Sequence, residues 1–274
     1  MSNRFGLTFL CLFFSWAGLS AQFNFLVVSD LHSDGEEFKN SPERITNMCN
    51  FIDAPGSQIQ SVLITGDVTD TGAGKPANCW SCCWSDSPDE WKYFNDACLQ
   101  EFKKRKVSVY VCPGNHDTYS GKCILESPAL SSIKQLNGGT AYYSFDQGDI
   151  HFVSCGIYPD ANIRKWLAKD LVLATQKDKA RPIVLFFHYN LEGPYGDWWS
   201  TEKDQAKKDV DNQNQKQAFL EIIQSYNIQA IFVGHWHNSY INLWNGFRVV
   251  GTGGEKFASC SYDPQEKTLD VTLV

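Results

Sequence analysis

Short apolar runs, each halted by turn residues, recur along this chain. FNFLVVS at 23–29, SVLIT at 61–65, KVSVYV at 106–111, PIVLFF at 182–187 and QAIFV at 229–233 show little polar alternation. Strands that are apolar on both faces are buried on both faces, as in the parallel sheets of layered α/β proteins. Between and after them lie segments that read as helices, at 43–51, 89–104, 163–174 and 214–226. Ser41-Pro42 and Ser87-Pro88 are helix starts, and Ser87 and Glu90 have the spacing of a capping box. Two runs, 141–146 and 150–155, flank Gln147-Gly148 and predict a hairpin. Runs at 240–243, 247–250, 258–262 and 268–273 read as an antiparallel set, which predicts a second, mostly antiparallel sheet. The alternation of strand and helix predicts α/β layers. Two loops, 71–88 and 190–205, are long for a compact domain, and such loops are usually functional or stapled.

The polar residues that end the buried strands share one character. The first strand leads into Asp30 and His32, the second into Asp67 and Asp70, and the third into Asn115, His116 and Asp117. PIVLFF leads into His188, and QAIFV into His235 and His237. Of the chain's 6 histidines, only His151 lies elsewhere, inside the predicted hairpin, where it reads as a partly buried strand residue. Carboxyl ends of strands in an open α/β sheet line the crevice where ligands bind, so these groups should converge. Carboxylate, amide and imidazole together suit hard to borderline divalent ions. Asp30 and His32 are two apart, as are His235 and His237, so along an extended strand each pair shares a face. Even seven of these as ligands would exceed what one tetrahedral ion takes and would suit two ions bridged by one carboxylate. A single histidine after a strand would mean nothing, and Asp117 on its own reads as a turn-shaping residue. Agreement among five strand ends is what carries weight.

In this order, D-x-H, G-D, G-N-H-D, a lone H and G-H-x-H resemble the calcineurin-like metallophosphoesterase superfamily, across residues 30 to 237. The resemblance implies an α/β fold, a four-layer α/β/β/α sandwich of two mixed sheets. It implies one metal held by Asp30, His32, Asp67 and His237, and a second held by Asp67, Asn115, His188 and His235. Fe, Mn and Zn are all compatible with the mixed oxygen and nitrogen ligands. His116 is then no ligand but the acid beside the leaving group, with Asp70 matching the carboxylate that orients it. The implied reaction is hydrolysis of a small phosphate mono- or diester. The alternative is a catalytically silent metal-binding or scaffold member of the same fold.

Departures from the family patterns narrow the branch. Thr71 stands where phosphoprotein phosphatases place a phosphate-clamping arginine. Asp70 stands where purple acid phosphatases place a tyrosine ligand, and His32 is a histidine that their first motif lacks. Both branches are therefore set aside. The cyclic-nucleotide phosphodiesterase and sphingomyelinase-like branches stay open. Aromatic residues in the long loops, Trp80, Trp84, Tyr195, Trp198 and Trp199, read either as a wall for a base or lipid chain or as packing beneath the loops.

Bulk properties add compartment and size. The chain has 274 residues, 43% of them hydrophobic, enough for a large core in one domain. A net charge of −7 speaks against nonspecific binding to nucleic acid or anionic membrane. Residues 1–21 carry Arg4, an apolar run from Phe5 to Leu19, and small residues after it. They read as a cleaved secretory signal, leaving 22–274 as a single domain without a membrane span, secreted or in an endomembrane lumen. Of the 10 cysteines, Cys11 leaves with that signal, and the odd remainder cannot pair completely within the chain. Cys112 and Cys155 fall in apolar strands and read as buried thiols, whereas Cys79, Cys82 and Cys83 read as disulfide partners in a surface insertion, with a zinc knuckle as the alternative. Oligomeric state is not legible.

Overall fold

The computed structural model describes residues 22–33, 41–72, 90–118 and 127–274. The predicted signal, Ser87, Trp80, Trp84 and the Cys79, Cys82, Cys83 group lie outside the described residues. Two mixed sheets form the centre. The first has the order β11-β10-β1-β2-β3 and the second β4-β5-β6-β7-β9-β8. β1 (Phe23–Val28), β2 (Ile59–Thr65) and β3 (Ser108–Cys112) run parallel. β4 (Tyr143–Gln147) returns as β5 (Ile150–Ser154) in the predicted hairpin. β6 (Ile183–Phe186), β7 (Ile228–Val233) and β9 (Phe247–Thr252) continue parallel to β5.

The four C-terminal strands do not make a sheet of their own, contrary to expectation. β8 (Ser239–Trp244) pairs with β9 and edges the second sheet. β10 (Ala258–Asp263) and β11 (Thr268–Leu273) pair antiparallel beyond β1 in the first. Burial gives the reason. Val249 and Val250 of β9 point to opposite faces and are both buried, which needs a place inside a sheet covered on both sides. β10 instead alternates, burying Ala258, Cys260 and Tyr262 on the face toward the other sheet.

Alternation within the central strands makes the layers. Phe25 and Val27 of β1 face β5–β7 through Phe152, Val184 and Phe232, and the Phe25 and Phe152 rings meet edge-on at 5.2 Å. Leu26 and Val28 face the other way, onto α1 (Ser41–Asp53), α2 (Glu90–Phe94), α3 (Gln100–Lys104) and α4 (Pro128–Leu136). On the far side of the second sheet, Val153, Leu185 and Ile231 pack on α5 (Ala161–Ala174) and α6 (Gln205–Ile223). The result is helix, sheet, sheet, helix. A π turn at Asn95–Leu99 divides the predicted 89–104 helix. α6 starts at Gln205, earlier than its apolar positions indicate. Its first half buries only Asn212, and the start is set by the Asp204 side chain accepting from Lys207 N at 3.1 Å. Sequence reading passed over α4, capped by Ser127 accepting from Ala129 N at 3.1 Å with Pro128 at its first turn.

Candidate metal centre

All five polar strand ends meet at one edge of the sandwich. The loops after β1 and β2 are tied by Asp30 N to Gly66 O and His32 N to Asp67 O, both 3.0 Å. The β3 loop joins them through His116 N, which donates to Asp67 Oδ1 at 2.9 Å. Asp117 is fully buried and clamps the same loops, accepting from Gly114 N at 2.8 Å, Thr69 N at 2.9 Å and Thr69 Oγ1 at 2.8 Å. It shapes the turn, as its position suggested. The β7 loop is held by His235 N, which donates to both Asp30 oxygens at 3.0 and 3.1 Å.

Ligand-type atoms of Asp30, His32, Asp67 and His237 lie within 4.8 Å of one another, as do those of Asp67, His188 and His235. Asn115 Oδ1 sits 3.0 Å from His188 Nε2 and so belongs with the second group. Asp67 is common to both. The reason for convergence differs from the one expected. Asp30 and His32 lie beyond the end of β1, and both take left-handed backbone, with φ 52° and 41°. His235 and His237 do the same at 70° and 48°, and Asp67 at 50°. Left-handed turns, rather than alternation along a strand, aim the side chains inward. A non-glycine residue in this region costs about 1–3 kcal/mol, and such strain gathers at functional sites. Space is made by glycine: a Cβ on Gly114 would stand 2.0 Å from Asp67 Oδ1, and one on Gly234 would stand 1.9 Å from Ser29 Oγ.

The donor set fits cations. Asp67 Oδ2 and His235 Nε2 are buried without a hydrogen-bond partner. Asp67 Oδ2 lies 3.1 Å from His188 Nε2, which gives it a donor only when that ring carries its second proton. His188 Nδ1 is the nitrogen placed to donate, to Thr65 O at 2.9 Å, which leaves Nε2 as a lone pair in the neutral ring. His32 Nε2 and His237 Nε2 face each other at 3.2 Å, two ring nitrogens directed at one spot. Charge agrees. Burial pushes His235 down, the nearby His188 adds to it, and the imidazole at about 3 stays neutral. Burial would lower His188 as well, but the Asp67 charge and contact outweigh it and carry His188 up to about 9. Burial would raise Asp30, yet its bond with His237 and the charges of His188 and His32 hold it well below the usual carboxylate range. A field that protonates a buried imidazole attracts any positive charge.

Asp70 lies beside both predicted roles. Its carboxylate Oδ1 takes His32 Nδ1 at 3.0 Å and is 3.6 Å from His116 Nδ1. His116 Nδ1 is instead bound to the Asp70 carbonyl at 2.5 Å. Asp70 therefore steers His32 with its side chain and His116 with its backbone. Sequence reasoning missed Glu90, taken there as a capping residue. Its buried carboxylate accepts from Asp70 N at 3.2 Å, Thr71 N at 3.0 Å and the Thr71 hydroxyl, pinning the turn that holds both histidines. It missed Arg44 too, whose buried guanidinium donates to the Asp30, Ser29 and Thr252 carbonyls at 3.0, 2.9 and 3.0 Å. Nothing local in the sequence marks either contact.

The calcineurin-like phosphoesterase family model matches residues 23–239, which takes in every one of these strand ends. The chain belongs to this family. Among curated relatives of this calcineurin-like phosphoesterase, purple acid phosphatase 23 of Arabidopsis thaliana is 28% identical over 200 residues, 64% of this chain and 40% of that protein. Purple acid phosphatase 15 of the same plant is 26% identical over 201 residues, 64% of this chain and 34% of that protein. The chain spans less than half the length of these relatives. Both carry the name of a branch that the residues at His32 and Asp70 set aside. At 28% identity over 64% of this chain the similarity assigns no branch, and His32 and Asp70 still depart from that branch's ligand pattern. Among solved structures, GAP50, the anchor in the inner membrane complex of Plasmodium, superposes with TM-score 0.57 at 12% identity, over 92% of this chain and 84% of that one. Phosphopantetheinyl hydrolase from Mycobacterium tuberculosis gives 0.50 at 13% identity, over 86% and 91%. At such identities these two speak to the fold alone.

Proposed function

We propose that this chain hydrolyses small phosphate esters with two metal ions held side by side. Asp30, His32, Asp67 and His237 hold one, and Asp67, Asn115, His188 and His235 hold the other. The observation that carries this is Asp67, one fully buried carboxylate shared by both groups with an oxygen that has no hydrogen-bond donor. When bound, such a pair of ions lowers the pKa of a water and clamps phosphoryl oxygens. Fe, Mn and Zn each suit the ligand types.

The rest falls to the chain. His116 is the general acid. Its Nδ1 is fixed on the Asp70 carbonyl, so the second proton of the imidazolium, on Nε2, is the one passed to the departing oxygen. Asp70 and Glu90 hold that arrangement in register. Residues 1–21 act as a cleaved secretory signal, and the enzyme works outside the cytoplasm. Among the described residues, no helix is long and apolar enough to cross a membrane. Cys49, Cys98, Cys112, Cys155 and Cys260 are buried free thiols, so disulfides within the chain would fall to cysteines outside the described residues.

Metal stoichiometry and hydrolysis of p-nitrophenyl mono- and diesters, measured on wild type and Asp67→Asn, test the proposal. Wild type should bind two ions per chain and turn over an ester, and Asp67→Asn should lose both properties. Parental hydrolysis by Asp67→Asn would refute the shared carboxylate. Two bound ions without turnover on any ester would point to the silent scaffold.

A further inference from the structure

The loop between β6 and α6 places aromatic residues on one side of this centre only. Trp198 meets the His235 ring at 4.5 Å, Tyr189 at 4.7 Å and Tyr195 at 5.4 Å. Tyr195 and Trp198 cross edge to face at 6.2 Å. Adjacent tryptophans divide in purpose. Trp199 is 1% exposed and packs against Phe187 and Phe219, whereas Trp198 is 37% exposed and Tyr195 44%. Contacts with His235 and with each other, and that of Tyr189 with Trp198, still leave more than a third of the Trp198 and Tyr195 surface open to solvent.

The loop is also stiff. Asn212 on α6 accepts from Trp199 N at 3.1 Å and donates to Gly196 O at 2.8 Å. Lys208 pairs with Asp197 at 2.7 Å, and the Trp199 indole donates to Asn190 O at 3.2 Å. Gly193 lies so close over the Trp236 indole that a Cβ there would come within 2.9 Å of it. Trp236 sits between His235 and His237, so the loop is fastened to the centre itself. A surface held this way is ready for a flat ligand without ordering first.

Position selects which part of the ligand. His116 lies against His32, with ring centroids 4.6 Å apart, beside the group of Asp30, His32 and His237. The aromatic pair lies against His235, in the group of His188 and Asn115. A phosphate spanning both groups with its leaving oxygen toward His116 turns its other substituent toward Trp198 and Tyr195. We infer that Tyr195 and Trp198 form a specificity wall for the non-leaving substituent of a phosphodiester, and that this substituent carries a flat aromatic ring such as a nucleobase. The inference rests on the phosphoesterase reading above and deepens it from phosphate ester to aromatic diester.

The test compares diesters that share the p-nitrophenolate leaving group and differ in the other arm: methyl, octyl, p-nitrophenyl and thymidine 5′-linked. Selectivity is kcat/KM for the aryl or thymidyl ester divided by that for the methyl ester. Trp198→Ala should lower this selectivity about 10-fold, in line with the loss of one stacked ring, and Trp198→Phe should retain most of it. Tyr195→Ala should act in the same direction. Because leaving group and charge are constant, general damage to the centre moves all four esters together and leaves the ratio unchanged. An unchanged ratio in a folded, active Trp198→Ala protein would overturn the wall alone. Equal losses for octyl and aryl arms would overturn the aromatic class in favour of a lipid chain. Hydrolysis of monoesters only would overturn the diester assignment. No hydrolysis of any ester by the metal-loaded wild type would overturn the phosphoesterase reading and the wall with it.

Discussion

Glu90 belongs to none of the motifs, yet replacing it should be felt at His116. Its buried carboxylate accepts from two backbone amides, Asp70 N and Thr71 N, and from the Thr71 hydroxyl. Hydrogen bonds to a charged acceptor are worth about 1.5–3 kcal/mol each, and a buried amide left without an acceptor costs about 1–3 kcal/mol. Glu90→Gln keeps the size but removes the charge from all three bonds and forces the Thr71 hydroxyl to turn and accept from the new amide, so each bond weakens. The 70–71 turn then loosens. That turn carries the carbonyl fixing His116 Nδ1 at 2.5 Å and the carboxylate fixing His32 Nδ1 at 3.0 Å. General-acid help is worth about 10²–10⁴-fold, and a mis-set acid should forfeit about 10-fold of it. The loss should depend on the leaving group. An alkoxide needs the proton, whereas p-nitrophenolate leaves without one. Turnover of an alkyl ester should therefore fall about 10-fold further than that of a p-nitrophenyl ester, with metal content retained. Equal losses on both esters, or loss of metal, would show that Glu90 does not act through His116.

Two further outcomes follow. His116→Ala should slow hydrolysis by about 10²–10⁴-fold while two ions per chain remain bound, because the residue reaches Asp67 through its backbone N–H. Metal loss in that variant would make His116 a ligand. His151 joins β5 to Asp146 on β4 at 2.7 Å and Asp170 on α5 at 2.8 Å; burial alone would lower its pKa, but these two bonds raise it. Its stabilising effect is then complete below about pH 6.5 and fades as pH rises through the folded value, so the Tm deficit of His151→Gln should shrink toward alkaline pH. A deficit that grew with pH would refute this.

Much of the fold is legible in the sequence, for a reason visible in particular strands. SVLIT and PIVLFF are apolar on both faces, and only a sheet covered on both sides accommodates them. Sheet membership of the last four strands could not be read, because pairing of β10 with β1 joins residues more than two hundred positions apart. Ligand-type residues stood out because their chemistry repeats at strand end after strand end. Their backbone did not. Left-handed φ at Asp30, His32, Asp67, His235 and His237 is imposed by surrounding contacts, with no glycine to announce it. Glu90 and Arg44 stayed hidden because each acts on backbone groups distant in sequence.

Three carboxylates in this centre are fully buried, and they are not alike. Asp117 has its charge met by hydrogen-bond donors from two loops. Asp30 receives the His235 amide on both oxygens. Asp67 has one backbone donor on Oδ1 and none on Oδ2. A buried anion with an unmet oxygen is costly, and the fold bears it only where something positive repays it. Within the chain that partner is His188, held up near 9 by Asp67 itself. A metal ion does the same more completely and relieves His188 of its proton. Cation binding should therefore be linked to stability. At free metal about 100-fold above Kd, each site should add about 2.7 kcal/mol, seen as a rise in Tm that a chelator reverses. In Asp67→Asn the buried charge is gone, and the metal-dependent rise should go with it. A Tm indifferent to metal in the wild type, or a full rise in Asp67→Asn, would mean that the buried charge of Asp67 is balanced by the chain alone.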